Sequence, residues 1–356
     1  MSDDMFMLKK NFAKEPNPDG RLAYTVGQRP VNTMVREFSH SDDPYTGLKE
    51  NFGYFGFTPK IEEWIKNNTK GHLTFNDCRG VKELYWTGEG KTAIIAGSSR
   101  AILDVKDLIP DKGTPEHDDL VVLALNAGGV ALGAQKVDYL FTLDYSSRIE
   151  WFPEDLRELP IILSFNCPDL LGTFFKTRYY FASPLREEAP MRAKYGFLDC
   201  GNIASYTCAH MAFKMGVKRI IWVGHEFSYT PDEGRLWNHW NEPMTMEWCT
   251  KHNLGYAMDF HGNPVPSDER LAYNARIVAA ISYMCGDQGI EVINATGKGT
   301  LGIQQMPEKD GAAAVMTVPF SEAMERIKNE RVHQAGYEAP GPERHHVERS
   351  ECLSGC

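Results

Sequence analysis

The sequence predicts an α/β protein with a doubly wound, mainly parallel, Rossmann-like sheet. From about residue 90 onward, short runs rich in β-branched and aromatic residues alternate with helical stretches and loops. The runs are apolar throughout, which is typical of strands covered on both faces by helices. The chain has 356 residues and is 42% hydrophobic, so we expect a substantial core.

Seven apolar runs predict strands. In chain order they are residues 92–97, 120–126, 139–144, 160–165, 178–182, 219–224 and 290–295. Apolar residues at helical spacing predict two long helices at 201–215 and 268–286, and a short one around Trp64.

Four regions are expected along the chain. Residues 1–88 form an N-terminal accessory region, residues 89–318 a catalytic domain, and residues 319–334 a C-terminal helix. Residues 335–356 hold few large apolar side chains and a Pro/Gly cluster, which predicts a disordered tail.

Charge and hydropathy exclude two classes of protein. The net charge of -10 argues against a nucleic-acid binder that depends on phosphate contacts. The chain starts without a signal-peptide pattern, and no apolar run reaches the roughly 18 residues that span a bilayer. We therefore expect a cytoplasmic protein without a transmembrane segment. Its oligomeric state is not indicated.

A first candidate site follows the strand at 92–97, in the stretch IIAGSSRAILDV. Gly97, Ser98 and Ser99 would present hydroxyls and backbone N–H groups at the start of a helix, where a phosphate is favoured. The stretch is neither G-x-G-x-x-G nor a Walker A loop. A plain strand-to-helix turn with a serine cap is the alternative.

Polar residues also follow the next strands. Asn126, Asp144 and Asn166 each come where an apolar run ends. Ligands of open α/β sheets bind beyond the carboxyl ends of strands, and a carboxylate there can accept a ribose hydroxyl or hold a divalent metal. The alternative role of Asp144 is to cap the next helix.

In the stretch RIIWVGHEFSYTPDEGRLWNHWN, residues 219–241, a predicted buried strand is followed directly by several ionisable residues. Imidazole and carboxylate groups transfer protons, which makes His225, Glu226 and His239 candidate catalytic residues. Tyr229 can donate a hydrogen bond to a leaving phosphate. The alternative is an exposed loop whose charges are only solvated.

The last strand ends in INATGKGTLGI. Asn294 and Thr296 precede a glycine-rich turn that carries Lys298, which could meet a phosphate or be a solvated loop charge.

In order along the chain, five segments resemble the motifs of one family: AIIAGSSRAIL, LALNAGGVALGAQKVDYLFTLDYS, GNIASYTCAHMAFKMGVKRIIWVGHEFSYT, DFHGNPVPSD and IEVINATGKGTLGIQQMP. The family is that of the 6-hydroxymethylpterin diphosphokinase MptE-like domain, which is also found in the flagellin motility accessory factors. The resemblance spans roughly residues 90–310. It implies a sialyltransferase-like Rossmann core.

The first loop departs from the family pattern. Where the family usually reads G-x-G-P-S-L, residues 97–102 read GSSRAI, so the second glycine and the Pro-Ser are missing and Arg100 is new. The identity of the bound nucleotide is therefore left open.

The later motifs match more closely. The family's asparagine matches Asn126, and its aspartate matches Asp144 without the proline that follows it. Its G-x-D-L-x-Y motif matches residues 224–229 with Glu in place of Asp, and its N-A-T motif is intact at 294–296. The downstream histidine of the loop could be His239.

The resemblance implies a nucleotide-dependent transferase. The favoured function moves a sugar, such as a nonulosonic acid, from a CMP-type donor to a glycan, glycolipid or protein acceptor. One alternative is an ATP-dependent pyrophosphokinase that acts on a hydroxymethylpterin-like alcohol, with Mg²⁺ held by Asp144 and Glu226. Another is a non-catalytic nucleotide-binding or assembly protein. The residues predicted to bind nucleotide are Gly97, Ser98, Ser99, Asn126, Asp144, Asn294 and Thr296, and the predicted catalytic residues are His225, Glu226, Tyr229 and His239.

Overall fold

The computed structural model describes most of the chain between residues 59 and 335. The described ranges are 59–73, 78–144, 147–183, 186–199, 203–229, 255–259, 261, 263–267, 269–303, 305–308 and 312–335. The predicted disordered tail, apart from residue 335, and most of the predicted accessory region lie outside these residues.

Eleven strands and eight α-helices are described. The strands are β1 (Arg79–Gly80), β2 (Thr92–Ala96), β3 (Leu120–Leu125), β4 (Tyr139–Thr142), β5 (Ile161–Ser164), β6 (Arg178–Phe181), β7 (Arg219–Val223), β8 (Gly255–Met258), β9 (Pro264–Ser267), β10 (Glu291–Asn294) and β11 (Val315–Thr317). The helices are α1 (Pro59–His72), α2 (Ala101–Val105), α3 (Ala127–Leu132), α4 (Asp169–Phe174), α5 (Arg192–Tyr195), α6 (Ala204–Lys214), α7 (Glu269–Asp287) and α8 (Phe320–Ala335).

Nine of the strands form one sheet, in the order β1-β6-β5-β4-β3-β2-β7-β10-β11. All neighbouring strands in it are parallel. The chain first forms the edge strand β1, then enters the centre of the sheet at β2 and moves outward through β3, β4, β5 and β6. It then returns to β7 on the other side of β2. The predicted doubly wound α/β fold is confirmed, and its strand order reverses between β2 and β7.

Both faces of the sheet are covered, which explains the uninterrupted apolar runs. Successive side chains of a strand point to opposite faces. On β2, Ala93 and Ile95 pack in a cluster with residues of α6 and α7. Ile94 and Ala96 pack in the opposite cluster, with residues of α2, α3 and α8.

Two elements inside the predicted accessory region contact the sheet. Strand β1 pairs with β6, and helix α1 packs against α4. The Asn68 amide donates a hydrogen bond to the carbonyl oxygen of Asn166 at 2.8 Å. Helix α1 therefore lies beside the carboxyl end of β5. A domain boundary at residue 88 stays a prediction.

The remaining strands, β8 and β9, form a separate antiparallel hairpin. Within the described part of the chain, no helix is both long and apolar enough to cross a membrane.

Candidate functional site

The loops after β2 and β7 meet where the strand order reverses. The two strands are in register up to Ala96 and Val223. A side chain added at Gly97 would collide with the carbonyl oxygen of Gly224, and one added at Gly128 would collide with that of Gly97. The backbone at Gly97 therefore packs directly against Gly224, and the backbone at Gly128 against Gly97. Neither Gly97 nor Gly128 has room for a side chain. In open α/β sheets a ligand crevice forms beyond this point.

Glu226 joins three loops of this edge. Its Oε1 accepts a hydrogen bond from the Ala101 amide at 2.6 Å, and its own amide donates to Ser99 Oγ at 3.4 Å. Its carbonyl oxygen accepts from the Thr300 amide at 2.6 Å. The residue is 2% exposed. These bonds attach the loops after β2, β7 and β10 to one residue.

The two predicted serines differ in what they can offer a ligand. Ser98 Oγ donates to the carbonyl oxygen of Leu125 at 2.8 Å, so its hydrogen is already used. Ser99 Oγ accepts from the Glu226 amide at 3.4 Å. No acceptor for the Ser99 hydrogen is found among the described residues, so Ser99 can still donate a hydrogen bond.

His225 is buried, and both ring nitrogens bond inside the protein. Nδ1 donates to the carbonyl oxygen of Val223 at 2.8 Å, and Nε2 then accepts from Ser205 Oγ at 3.1 Å. Burial lowers the pKa of His225 from 6.5 to about 4. The imidazole is therefore neutral at pH 7. This geometry favours a structural role for His225 over proton transfer.

Asn294 and Thr296 shape the loop after β10. Asn294 donates through Nδ2 to the Leu301 carbonyl at 2.8 Å, and its Oδ1 accepts from the Thr296 amide at 3.2 Å. The Thr296 hydroxyl accepts from the His225 amide at 3.2 Å. Both side chains are buried. Their contact with a nucleotide stays a prediction, and these bonds favour an indirect role.

Asn126 has a strained backbone at the end of β3. Its φ of 44° and ψ of −116° place it in a region that L-residues rarely adopt. Its Oδ1 is buried and has no hydrogen-bond partner in the part of the chain that the structure describes. The same holds for Oδ1 of Asn166, after β5. Unpaired buried acceptors of this kind are rare in folded proteins.

Asp144 lies two residues beyond β4 and is partly buried. Strands β3 and β2 separate β4 from β7, so the strands that precede Asp144 and Glu226 are about 14 Å apart at the usual strand spacing. Among the described residues, no group of three or more His, Cys, Asp or Glu side chains is arranged to hold a metal ion. This spacing disfavours one Mg²⁺ ion shared by Asp144 and Glu226.

Tyr229 is buried, and its amide donates to the carbonyl oxygen of Pro266 at 2.8 Å. Ser267 Oγ donates to the Phe227 carbonyl at 3.1 Å. These two hydrogen bonds hold the hairpin of β8 and β9 beside the candidate site. His239 lies outside the described residues. The catalytic roles of Tyr229 and His239 stay predictions.

Two contacts at this edge were not predicted from the sequence. Nε2 of His261, in the turn between β8 and β9, donates to the carbonyl oxygen of Gly297 at 3.3 Å. Lys298 Nζ lies 2.9 Å from Asp104 Oδ2, on helix α2. The lysine was visible in its glycine-rich turn, but nothing local in the sequence pairs it with Asp104.

Comparisons with known proteins give a likeness in structure only. No family model matches the chain, and no curated protein matches its sequence. Among solved structures, the MAf glycosyltransferase from Magnetospirillum magneticum AMB-1 matches with a TM-score of 0.54 and 11% sequence identity. The match covers 82% of this chain and 45% of the other, so this chain spans less than half the length of that protein. At this identity the likeness shows a shared fold.

Proposed function

We propose that this protein is a nucleotide-dependent transferase, and specifically a glycosyltransferase that uses a CMP-type sugar donor. The observation that carries the proposal is the sheet itself, with its strand order and a fold shared with a MAf glycosyltransferase over 82% of the chain. The motif resemblance to the motility accessory factors supports the same function independently. A glycan, glycolipid or protein would be the acceptor.

The reaction divides its tasks between two groups of residues. An acceptor hydroxyl oxygen forms a bond to the anomeric carbon of the sugar while the bond from that carbon to the donor phosphate breaks. The nucleotide leaves with the electron pair, and the acceptor proton passes to a base. Hydrogen-bond donors fixed around the leaving phosphate stabilise its charge. We assign this task to Ser99 and keep Tyr229 as a further candidate.

Glu226 fits a positioning role better than that of the base. Its carboxylate accepts from the Ala101 amide and the residue is 2% exposed. A base must reach the acceptor hydroxyl, directly or through one water. His239 is then the candidate base that remains from the sequence prediction.

The proposal is tested by a ligand panel on the full chain. Thermal unfolding is measured with CMP, CDP, UDP, GDP, AMP and ATP, each with and without Mg²⁺. A ligand that binds only the folded state at 1,000 times its Kd stabilises by about 4 kcal/mol. We expect CMP to stabilise most, and the matching CMP-sugar to release CMP when an acceptor is present.

Two results would contradict the proposal. A Mg²⁺-dependent preference for ATP, with AMP as the product, would instead identify a pyrophosphokinase. Absence of stabilisation across the whole panel would identify a protein that retains the fold without nucleotide chemistry.

A further inference from the structure

We propose that Lys298 binds the phosphate of the nucleotide donor, and that Asp104 holds Lys298 while the donor is absent. This inference rests on the proposed nucleotide-dependent function and names a phosphate-binding residue for it. Three observations support it: the position of the loop after β10, the exposure of the ion pair between Lys298 and Asp104, and the available hydroxyl of Ser99.

The loop that carries Lys298 lies beside the point where the strand order reverses, because β10 is the neighbour of β7. The glycines on either side of it, Gly297 and Gly299, have φ values of 80° and 90°. A side chain at Gly299 would collide with the backbone of Glu226. The backbone next to Lys298 is thus held against the backbone of Glu226, while the long side chain of Lys298 can reorient.

The partner of Lys298 belongs to the same assembly of loops. Asp104 lies on α2, whose first residue, Ala101, donates its amide hydrogen to Glu226. The ammonium and carboxylate are 2.9 Å apart, and their side chains are 36% and 64% exposed. Ion pairs this exposed contribute little to stability. Exchange of Asp104 for another anion therefore costs little.

A phosphate can replace the Asp104 carboxylate, since it also accepts charge-assisted hydrogen bonds from an ammonium group and has further oxygens for a second donor. Ser99 supplies a second donor from the loop after β2. Both loops are bonded to Glu226, Ser99 through the Glu226 amide and the Lys298 loop through Thr300. A phosphate above Glu226 would meet a hydroxyl from one side and an ammonium from the other.

The alternative is a surface ion pair without a ligand role. In that case, removal of either charge breaks the same contact, so Lys298→Ala and Asp104→Asn have the same effect. A phosphate site predicts opposite effects. Loss of the lysine removes a ligand contact, whereas loss of the aspartate removes a competitor.

The experiment measures binding of CMP and of cytidine by isothermal titration calorimetry to wild type, Lys298→Ala and Asp104→Asn. We expect Lys298→Ala to weaken CMP binding roughly 10- to 100-fold, as for loss of a hydrogen bond to a charged group. Asp104→Asn should strengthen CMP binding a few-fold. Cytidine, which lacks the phosphate, should bind equally to all three proteins. Added salt should weaken CMP binding to wild type more than to Lys298→Ala.

Lys328→Ala is the matched control, because Lys328 is an exposed lysine of α8 in an ion pair with Glu325. It should leave CMP binding unchanged, and all variants should keep the wild-type melting temperature. If wild type binds CMP and Lys298→Ala binds it equally well, this inference is overturned while the proposed function stands. If the panel finds another nucleotide, that nucleotide and its nucleoside replace CMP and cytidine. If wild type binds no nucleotide, both proposals are overturned.

Discussion

Polar groups at the amino ends of the strands, one edge of the sheet, are paired differently from those at the carboxyl ends, the other edge. At the amino ends of the strands, Arg219 pairs with Glu291 and Glu330, and Arg331 pairs with Asp119. At the carboxyl ends, the side-chain oxygens of two asparagines are buried without partners among the described residues. At the amino ends the buried Nε of Arg157 also lacks a partner among these residues, but its guanidinium donates to Glu154 through Nη1. Of the three described non-glycine residues with positive φ, two, Asn126 and Phe227, lie at the carboxyl ends.

This difference indicates which edge serves stability and which serves binding. Paired charges at the amino edge tie α8 to β7 and β10. Unpaired acceptors and strained backbone cost free energy of folding, and they persist where function requires them. The one ion pair described above at the carboxyl edge, Lys298 with Asp104, is exposed and exchangeable. We therefore expect substitutions at the two edges to separate stability from binding.

The largest effect is expected at the amino edge, for Arg219→Ala. The Arg219 side chain is 7% exposed and pairs with Glu291 and Glu330. Its removal leaves Glu330 paired with Lys218 and Glu291 with only the 3.9 Å contact to Arg326. Because the Glu291 and Glu330 side chains are 20% and 38% exposed, the loss should be about 2–3 kcal/mol, less than for a fully buried pair. Urea denaturation at pH 7 should show this loss, with nucleotide binding unchanged in the folded protein.

Arg326→Ala is the matched control for that variant. Its side chain is 41% exposed, pairs with Glu322 one turn away and lies 3.9 Å from Glu291, so the loss should stay below about 1 kcal/mol. Equal losses for the two arginines, or loss of nucleotide affinity in folded Arg219→Ala, would break the distinction between the edges.

The next effect concerns two buried histidines beside the carboxyl ends, His72 and His225. Burial lowers the pKa of each from 6.5 to about 4. Between these values the unfolded chain binds more protons than the folded one, so stability is fully present above pH 6.5 and falls as the pH drops toward 4. Each histidine should cost on the order of 2 kcal/mol between pH 7 and pH 5.

Urea denaturation at the two pH values measures this loss. His225→Gln should remove about one third of the expected histidine contribution, because burial lowers the pKa of His210 to about 4 as well. A wild-type protein that is equally stable at pH 5 and pH 7 would contradict the assignment of these histidines as buried and neutral.

Glu226 allows a test of positioning against proton transfer. Glu226→Gln keeps a carbonyl oxygen for the Ala101 amide, so sugar transfer should stay within about tenfold of wild type. Glu226→Ala removes the acceptor and should raise the donor KM by roughly 10-fold or more. A fall in kcat of about 10²- to 10⁴-fold in Glu226→Gln would identify Glu226 as the base instead.

The smallest effect is expected for Asn126→Gly. Glycine adopts the backbone angles of Asn126 without strain, so stability should rise by up to about 1 kcal/mol. Nucleotide affinity should fall several-fold if the Asn126 amide contacts the ligand. Trp86→Gly is the control, because Trp86 also has positive φ, at 66°, but precedes β2 at the other edge. It should leave affinity unchanged.

The strands of the sheet could be predicted from the sequence because the central strands are buried on both faces and therefore appear as continuous apolar runs. All seven predicted strands are present, with their ends shifted by at most two residues. Strand β1 has only two residues, too few to show a pattern, and β9 contains Pro264 and Pro266, which argue against a strand in sequence. These elements form through pairing with distant parts of the chain.

The site was predictable only in part, because many of its contacts also join residues that are far apart in the chain. The rule that ligands bind at carboxyl ends located the polar residues that follow β2, β3, β4 and β7. The bond from Ala101 to Glu226 joins residues 125 apart in the chain. Which serine retains a free hydrogen depends on such contacts, and local sequence does not contain them.

Hydrogen–deuterium exchange with and without saturating CMP tests the central claim most directly, because it locates the ligand on one edge of the sheet. We predict slower exchange in peptides that cover residues 97–101, 224–229 and 295–300, and unchanged exchange in α8 and in the turns before β2 and β3. Slower exchange at the amino edge alone, or no change in the three loops when calorimetry shows CMP to be bound, would contradict a nucleotide site at the β2 and β7 carboxyl ends.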